Sequence, residues 1–307
     1  MDITTSEIIK YYSSQGCITD PGDLILLLQD LPSDIGEMVN LIQGLILHLH
    51  WAEKYGVFPS EERKEEANLR FVSKQLDLIK HIDKKPLKVS RAPENRILGT
   101  CRDYSAILCS FLRHQGIPAR ARCGFGTYFT PGKYEDHWIS EYWDTDENRW
   151  VMVDSQLDQL QCDTLKIEFD PLDIPPGQFI TGGKAWQMCR TEQADPNKFG
   201  IFDMHGLWFV RGNLVRDLAS LNKMELLPWD CWALSSGDDG DLLEEDFLLL
   251  DRAAHLSQPE NFSLSEIQSI YQTNKGLLVP PIISSFTGDK FVEVDLRENC
   301  TSNNWEI

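Results

Sequence analysis

The sequence predicts an α+β fold, in which a helix packs on an antiparallel sheet and a mainly helical region precedes both. Three observations support this prediction. Apolar residues recur at three- and four-residue spacing in 36–56 and 60–82, which is typical of amphipathic helices. A capped helix is predicted at 101–115. Three segments with the composition of strands follow it.

The N-terminal part, residues 1–90, is therefore expected to be mostly helical. Pro59 followed by Ser60 and Glu61 predicts that the second helix starts there. Residues 86–98 contain two prolines and several basic side chains, which favours an irregular connection. No strand pattern is evident before Gly116.

The helix at 101–115 has a start signal and a stop signal. Thr100 followed three residues later by Asp103 has the form of an N-terminal capping box, and Gly116 and Pro118 end the pattern. Cys101 then lies in the first turn. One apolar stripe of the helix is formed by Tyr104, Ile107, Leu108, Phe111 and Leu112.

Three strands are predicted at 119–129, 136–143 and 149–154, which together form an antiparallel meander. If the segment DTDE forms a four-residue hairpin loop, Trp143 pairs with Asn148. The same register sets His137 opposite Asp154. A register shifted by two residues would leave both side chains on one face, whereas a shift by one would separate them.

Beyond residue 160 the pattern is weaker. Residues 208–222 are predicted to be helical, and 238–246 form an acidic run that we interpret as a solvated loop. We divide the chain into a helical N-terminal part (1–90), a core (91–225) and a C-terminal extension (226–307).

Composition and charge exclude several classes of partner. The chain has 307 residues, 42% of them hydrophobic, and a formal net charge of −19. Such a charge repels phosphate backbones and anionic lipid surfaces, so we expect neither nucleic acid nor a membrane as a partner. The first residues lack the features of a secretory signal, and no stretch resembles a membrane span. A cytoplasmic location is therefore expected.

The sequence predicts no metal or other cofactor. Its eight cysteines contain no CxxC pair, which argues against a disulfide framework and a zinc site and predicts that most are reduced. His48 and His50 would diverge by about 200° on a helix and would not bind one metal together. The acidic run lacks the ligand spacing of an EF-hand loop.

Cys101 is the candidate nucleophile. Unpaired N–H groups and the positive end of the helix dipole favour an anion in the first turn, which lowers the pKa of a thiol there. The same N–H groups are able to hold an oxyanion. The alternative interpretation is that Cys101 is a small buried core residue, since free cysteine is among the most buried residue types. Cys109 and Cys123 are interpreted as core residues because no base accompanies them.

His137 and Asp154 complete the pattern of a nucleophilic triad. An imidazole that deprotonates the thiol and a carboxylate that orients the imidazole are the two further groups that cysteine catalysis needs. Taken singly, His137 is also interpretable as a half-exposed strand residue, and Asp154 as a residue that ends a strand in a turn. Their joint occurrence with Cys101 favours catalysis.

The segments GTCRDYSAILCSFLRHQGIPARA, DHWISEYW and RWVMVDSQLD resemble the transglutaminase-like superfamily over residues 96–158. The resemblance implies a papain-like α+β core in which Cys101, His137 and Asp154 carry the three catalytic roles. The paired CxxC motifs of the peptide N-glycanases are absent, and the chain has no room for the β-sandwich domains of the animal cross-linkers. It is therefore more similar to the compact bacterial members. Trp51 and Asn95 are the candidates for a second oxyanion donor. Neither has motif support, so the role is left unassigned.

These inferences predict a cysteine enzyme that transfers an acyl group from an amide or peptide-like substrate through a thioester. The substrate would be a peptide, a protein or a small amide. Hydrolysis is favoured, and transfer to an amine, as in transglutaminases, is the alternative. A third hypothesis is a binding module without catalysis, in which Trp208 and the C-terminal part contact a partner.

Overall fold

The computed structural model describes residues 3–288 and 290–300. The chain forms two compact units. The first comprises the chain up to Ala121 and Ile139–Ile174, and the second comprises Arg122–Trp138 and the chain from Pro175 onward. The helices are α1 Ile3–Tyr12, α2 Ile35–Gln43, α3 Glu61–Lys64, α4 Val72–Ile82, α5 Cys101–His114, α6 Gln159–Leu165, α7 Gly182–Arg190, α8 Leu207–Leu221, α9 Glu244–Leu256 and α10 Leu264–Thr273. The strands are β1 Ile46–His48, β2 Ile97–Gly99, β3 Ala119–Gly126, β4 Tyr134–Asp144, β5 Arg149–Val153, β6 Phe179–Thr181, β7 Phe199–Ile201, β8 Met204–His205, β9 Asp230–Cys231, β10 Ile282–Thr287 and β11 Lys290–Asp295.

The predicted α+β class is confirmed, as is the helical character of the N-terminal region. The three-part division at residues 90 and 225 stays a prediction. Strands β3 and β4 each contribute residues to both units, because the chain passes from one unit to the other within them.

The prediction of one helix over 36–56 is wrong in its second half. Helix α2 ends at Gln43 with Gly44 as its C-cap, and the chain then forms β1, which pairs in parallel with β2. The residues of β1 and β2 are buried in the first unit. Apolar runs of this length fit a buried strand as well as a helix, and here the partner strand 51 residues later in the chain (46 to 97) decides between them.

The predicted helix at 60–82 is interrupted. It begins where expected, because the Ser60 hydroxyl accepts the N–H of Arg63 at 3.3 Å. A 3-10 segment follows α3, and the chain leaves helical geometry at Leu69 before α4 starts. The Leu69 carbonyl accepts the side-chain amide of Gln75 at 3.0 Å, and the Val72 N–H donates to Ile18 at 2.9 Å. These two bonds satisfy backbone groups that a continuous helix would use internally.

Helix α5 has the predicted bounds within one residue, and it packs on β4 in the first unit. The Ser140 hydroxyl donates to the carbonyl of Ser105 at 3.2 Å, and the Cys109 thiol lies 3.9 Å from the Ser140 hydroxyl. The helix is buried from Cys101 to Arg113, on its polar side as well as on the predicted apolar stripe. It is therefore a central helix, and its polar residues need partners inside the fold.

The three predicted strands exist as β3, β4 and β5, but the predicted hairpin register is wrong. Trp143 pairs with Trp150, and Asp144 pairs with Arg149. Asp144 begins the turn because its carboxylate accepts the N–H groups of Asp146 and Glu147 at 2.8 and 3.0 Å. Asn148 closes the turn with a φ of 53°. The register is thus shifted by two residues, which preserves the face of every side chain.

The second unit adds strands that the sequence pattern did not predict. Strand β6 pairs antiparallel with β3, and β7 pairs in parallel with β4, so the sheet is mixed. The order of its strands is β6-β3-β4-β7-β8, with β5 also paired to β4. Helix α8 agrees with the predicted helix at 208–222. The acidic run at 238–246 is a loop only at first, because α9 starts at Glu244.

Within residues 3–288 and 290–300, no helix is long and apolar enough to cross a membrane. Six of the eight cysteines are free thiols, as expected for most of them, whereas Cys17 and Cys300 are disulfide-bonded. Cys109 and Cys123 are fully buried, which confirms their assignment to the core.

Candidate active site

Cys101 is the first residue of α5, and its local structure is the capped turn that the sequence predicts. The N–H of Thr100 donates to the Asp103 carboxylate at 2.7 Å, so the chain enters the helix in a fixed direction. The Cys101 residue is 7% exposed. A thiol in this position lies among the unpaired N–H groups of the first turn, where an anion is stabilised.

The Asp103 carboxylate is neutralised within the same unit. It accepts the guanidinium of Arg102 at 2.9 Å and the side-chain amide of Gln75 at 2.8 Å. All three side chains are buried. Because Arg102 compensates its charge, Asp103 caps the helix without adding a net negative charge beside the Cys101 thiol.

His137 lies on β4 in the second unit and is 2% exposed. The rings of Phe129 and Tyr128 pack edge-on against the imidazole, with centroid distances of 4.8 and 5.9 Å. The alternative interpretation as a half-exposed strand residue does not fit this burial, because two aromatic rings of the preceding segment pack against the imidazole. This packing restricts the rotamer of His137.

Asp136, the residue before His137, is buried and was not identified from the sequence. Burial raises the pKa of its carboxyl group, while the hydrogen bond from Asn213 and the positive charge of Arg216 oppose this rise. Asn213 donates to Asp136 at 2.7 Å and to the carbonyl of Gly124 at 3.1 Å. One amide of α8 thereby ties β3 to the strand that carries His137.

Asp154 follows the last residue of β5 and is fully buried in the first unit. Its N–H donates to the carbonyl of Pro171 at 2.8 Å, and its carboxylate accepts the N–H of Gln156 at 3.1 Å. The backbone carbonyl of the next residue, Ser155, accepts a hydrogen bond from the side-chain amide of Gln43 at 3.2 Å. The backbone on both sides of Asp154 is thus fixed by hydrogen bonds.

A chain of buried and half-buried polar side chains continues from this turn. The Gln156 amide donates to Gln161 at 3.0 Å, Gln161 donates to the Tyr55 hydroxyl at 3.3 Å, and Tyr55 donates to Asp158 at 2.7 Å. Burial, followed by the hydrogen bond to Asp158, raises the pKa of the Tyr55 phenol. The phenol therefore stays protonated and remains a donor at neutral pH. This network stabilises the loop that presents Asp154.

Three other free thiols are poor nucleophiles at neutral pH. Burial raises the pKa of Cys189 to about 12. Burial also raises the pKa of Cys162 and Cys231. Since the thiolate is the reactive form, these cysteines are expected to react slowly.

The expectation that His48 and His50 lie on one helix is wrong. His48 ends β1 and His50 lies in the following 3-10 segment, and their ring centroids are 5.7 Å apart. Burial lowers the pKa of His50. Among the residues that the structure describes, no group of three or more His, Cys, Asp or Glu side chains has an arrangement that could hold a metal ion.

The residues missed by the sequence analysis are Asp136, Asn213 and the amides around Asp154. Asn213 is 77 positions from Asp136 along the chain, and no local pattern connects such a pair. Of the two candidate oxyanion donors, Trp51 is half-buried in a 3-10 segment and Asn95 is exposed. The second donor therefore stays unassigned.

Comparison with known proteins identifies the domain. Residues 58–155 match the model of the Transglutaminase-like superfamily. This segment of the chain is a transglutaminase-like domain. It contains the three predicted site residues Cys101, His137 and Asp154, and the predicted family resemblance is confirmed. The match supports a cysteine-based enzyme and does not define the substrate.

The chain also has a weak match among solved structures. The structure is described as "a Putative Cysteine Protease from Cytophaga hutchinsonii". The alignment has 18% sequence identity and a TM-score of 0.18, and it covers 47% of this chain and 46% of that one. The chain thus spans less than half of that protein, and a TM-score of this size gives no basis for a common activity. A comparison with curated proteins gave no match.

Proposed function

We propose that the protein is a cysteine hydrolase that cleaves an amide or peptide bond through a thioester, with Cys101 as the nucleophile, His137 as the general acid and base, and Asp154 as the residue that orients His137. The observation that carries this proposal is the position of Cys101 at the capped start of α5 within a transglutaminase-like domain. A thiol there combines nucleophilicity with adjacent N–H donors.

The strand register supports the roles of the other two residues. The last observed pair of the hairpin is Ser140 with Val153. Continuation by one residue sets Ile139 opposite Asp154, and His137 is two residues before Ile139 on the same strand. Because side chains alternate with period two, His137 and Asp154 belong to the same face.

The proposed reaction has two halves. The Cys101 thiolate attacks the carbonyl carbon of the amide, the C–N bond breaks, and the leaving amine takes a proton from the His137 imidazolium. A water molecule then gives a proton to His137 and attacks the thioester carbonyl, the C–S bond breaks, and the carboxylic acid leaves as the Cys101 thiolate is regenerated beside the His137 imidazolium. N–H groups of the first turn of α5 stabilise the oxyanion in both halves.

The test measures alkylation of each cysteine by iodoacetamide near neutral pH with peptide mass spectrometry. We expect Cys101 to react fastest, and His137→Ala and Asp154→Asn to slow its alkylation at least about tenfold because the thiolate loses its partner. His255→Ala is the control, since His255 is an exposed histidine of α9. Uniform alkylation of all free cysteines, or the same rate in His137→Ala as in the wild type, would refute the proposal.

A second measurement separates hydrolysis from amine transfer. The wild-type protein is incubated with a library of acetylated peptide amides, with and without a primary amine, and the products are identified by mass. We expect free carboxylic acids as the main products, formed by wild type and not by Cys101→Ala. If amides formed with the added amine predominate, the acceptor of the acyl group is an amine and not water. No product in either case would favour the binding-module hypothesis.

A further inference from the structure

The second unit contains a cavity beside the strand that carries His137. Its volume is about 270 Å³, and we call it the hairpin cavity. Three segments line it, namely Thr130–Glu135, the 3-10 turn Pro196–Lys198 and the β7–β8 hairpin. A cavity of this size accommodates a side chain rather than a large ligand.

The hairpin cavity is related to His137 through β4. Glu135 lines the cavity and pairs with Gly200 of β7. His137 is two residues further along the same strand, so the two side chains share a face and their Cα atoms are about 7 Å apart along the strand. An extended peptide also advances about 3.3 Å per residue. A peptide bond held at His137 would therefore place a side chain about two residues away at the cavity.

The charged groups of the cavity favour an anion. Lys133 and Lys198 both line it, and in the described part of the chain neither ammonium group has an ion-pair partner. The Glu135 carboxylate is engaged by the Thr130 hydroxyl at 2.9 Å. The nearby Asp195 carboxylate accepts the backbone and side-chain N–H groups of Asn197 at 2.9 and 3.0 Å.

The mouth of the cavity has an apolar element. Phe202, which lies at the tip of the β7–β8 hairpin, is 65% exposed and has a φ of 55°. The left-handed region is unfavourable for a bulky residue, and such conformations concentrate where a ligand is bound. An exposed aromatic ring beside two ammonium groups fits a ligand with both an apolar surface and a negative charge.

We propose that the hairpin cavity is a specificity subsite that binds a carboxylate of the substrate through Lys133 and Lys198, about two residues from the bond that is attacked. This inference rests on the proposed function, since it assigns the substrate class of the same site. The carboxylate belongs either to an Asp or Glu side chain or to a free C-terminus.

The test compares binding of defined peptides to the Cys101→Ala protein, which prevents turnover. The probes are acetylated, amidated alanine pentapeptides with one Glu moved through the five positions, the corresponding Gln peptides, and a Gln peptide with a free C-terminal carboxylate. Dissociation constants are obtained from amide NMR signals of the β7–β8 hairpin. We expect the preferred Glu peptide to bind about three- to tenfold more tightly than its Gln counterpart. Preference for the free C-terminal peptide instead would assign the carboxylate to a C-terminus.

Lysine variants provide the matched comparison. Lys133→Gln and Lys198→Gln should each reduce the preference for the carboxylate peptide, whereas Lys184→Gln removes a charge from an exposed site on α7 and should leave it unchanged. Equal affinity for charged and uncharged peptides, an equal loss in Lys184→Gln, or no binding of any peptide at millimolar concentration would overturn the inference.

Turnover by the wild-type protein separates this inference from the proposed function. Hydrolysis of the peptides without a preference for Glu or a free C-terminus would overturn the subsite and leave the hydrolase intact. Carboxylate-dependent binding that requires both lysines, without any Cys101-dependent product, would overturn the hydrolase and leave the anion site intact.

Discussion

Asn213→Leu provides a sharp test of how the strand with His137 is held. Leu keeps the branched shape of Asn but has neither donor nor acceptor, so the substitution removes the hydrogen bonds to Asp136 at 2.7 Å and to Gly124 at 3.1 Å, together with the long one from Arg216 at 3.4 Å. A hydrogen bond to a charged acceptor contributes about 1.5–3 kcal/mol and one to a neutral carbonyl about 1 kcal/mol. We therefore expect the free energy of unfolding to fall by about 2.5–4 kcal/mol where Asp136 is ionised.

The loss should depend on pH. Burial raises the pKa of Asp136 in the folded protein, so its contribution to stability decreases as the pH rises from the unfolded value through the folded one. Asn213 counteracts this rise, and its removal shifts the pKa further upward. Because the raised pKa moves ionisation of the carboxyl group to higher pH, the cost of Asn213→Leu should be about 1–2 kcal/mol near pH 4 and increase toward its full value near pH 8.

The assay is urea unfolding of wild type and variant at the two pH values, followed by intrinsic fluorescence. Asn222→Leu is the matched control, because its buried side-chain amide donates to the carbonyl of Leu218 at 2.8 Å. Its cost should be the same at both pH values. If Asn213→Leu also costs the same at both pH values, the Asn213 amide does not stabilise the ionised form of Asp136. That result would refute the reasoning.

Three further predictions concern the first turn of α5, the network beyond Asp154 and thiol reactivity. Asp103→Ala leaves the Arg102 guanidinium buried without its carboxylate, so urea unfolding should show a loss of about 3–5 kcal/mol, and a loss under about 1 kcal/mol would contradict the ion pair. Tyr55→Phe removes the donor to Asp158 and should cost about 1–2 kcal/mol by the same assay. Because the pKa of the phenol is raised, this difference should shrink as the pH rises above about 10, and a constant difference would contradict it. Burial raises the pKa of Cys189 to about 12, so iodoacetamide should alkylate it at least about a hundredfold more slowly than free cysteine near pH 8; equal rates by mass spectrometry would be incompatible with its burial.

The elements that the sequence predicted well are those with local signals. The start of α5 is fixed by Thr100 and Asp103, which are three residues apart, and its end by Gly116. The meander after it follows from alternating side chains and a polar turn. These features depend on interactions within a few residues, which a single sequence displays directly.

The failures have the opposite character. Strand β1 was predicted as helix because its partner β2 lies far along the chain. The hairpin register shifted by two because the Asp144 carboxylate, and not only loop length, starts the turn. The sequence also does not predict that two aromatic rings, those of Tyr128 and Phe129, pack against the His137 imidazole and bury it. Each error arises where a tertiary contact or one specific side-chain hydrogen bond outweighs the periodic pattern.

The candidate site divides in the same way. Cys101, His137 and Asp154 were selected from residue types, order and strand spacing, and their joint catalytic role stays a prediction. The sequence by itself determined which chemical groups are available and that Cys101 opens a capped helix. Only the tertiary structure decided which polar groups are buried with them, such as Asn213 on Asp136 and Arg102 on Asp103. A buried charge requires a partner, and the long-range packing of the chain, which no local pattern encodes, supplies it.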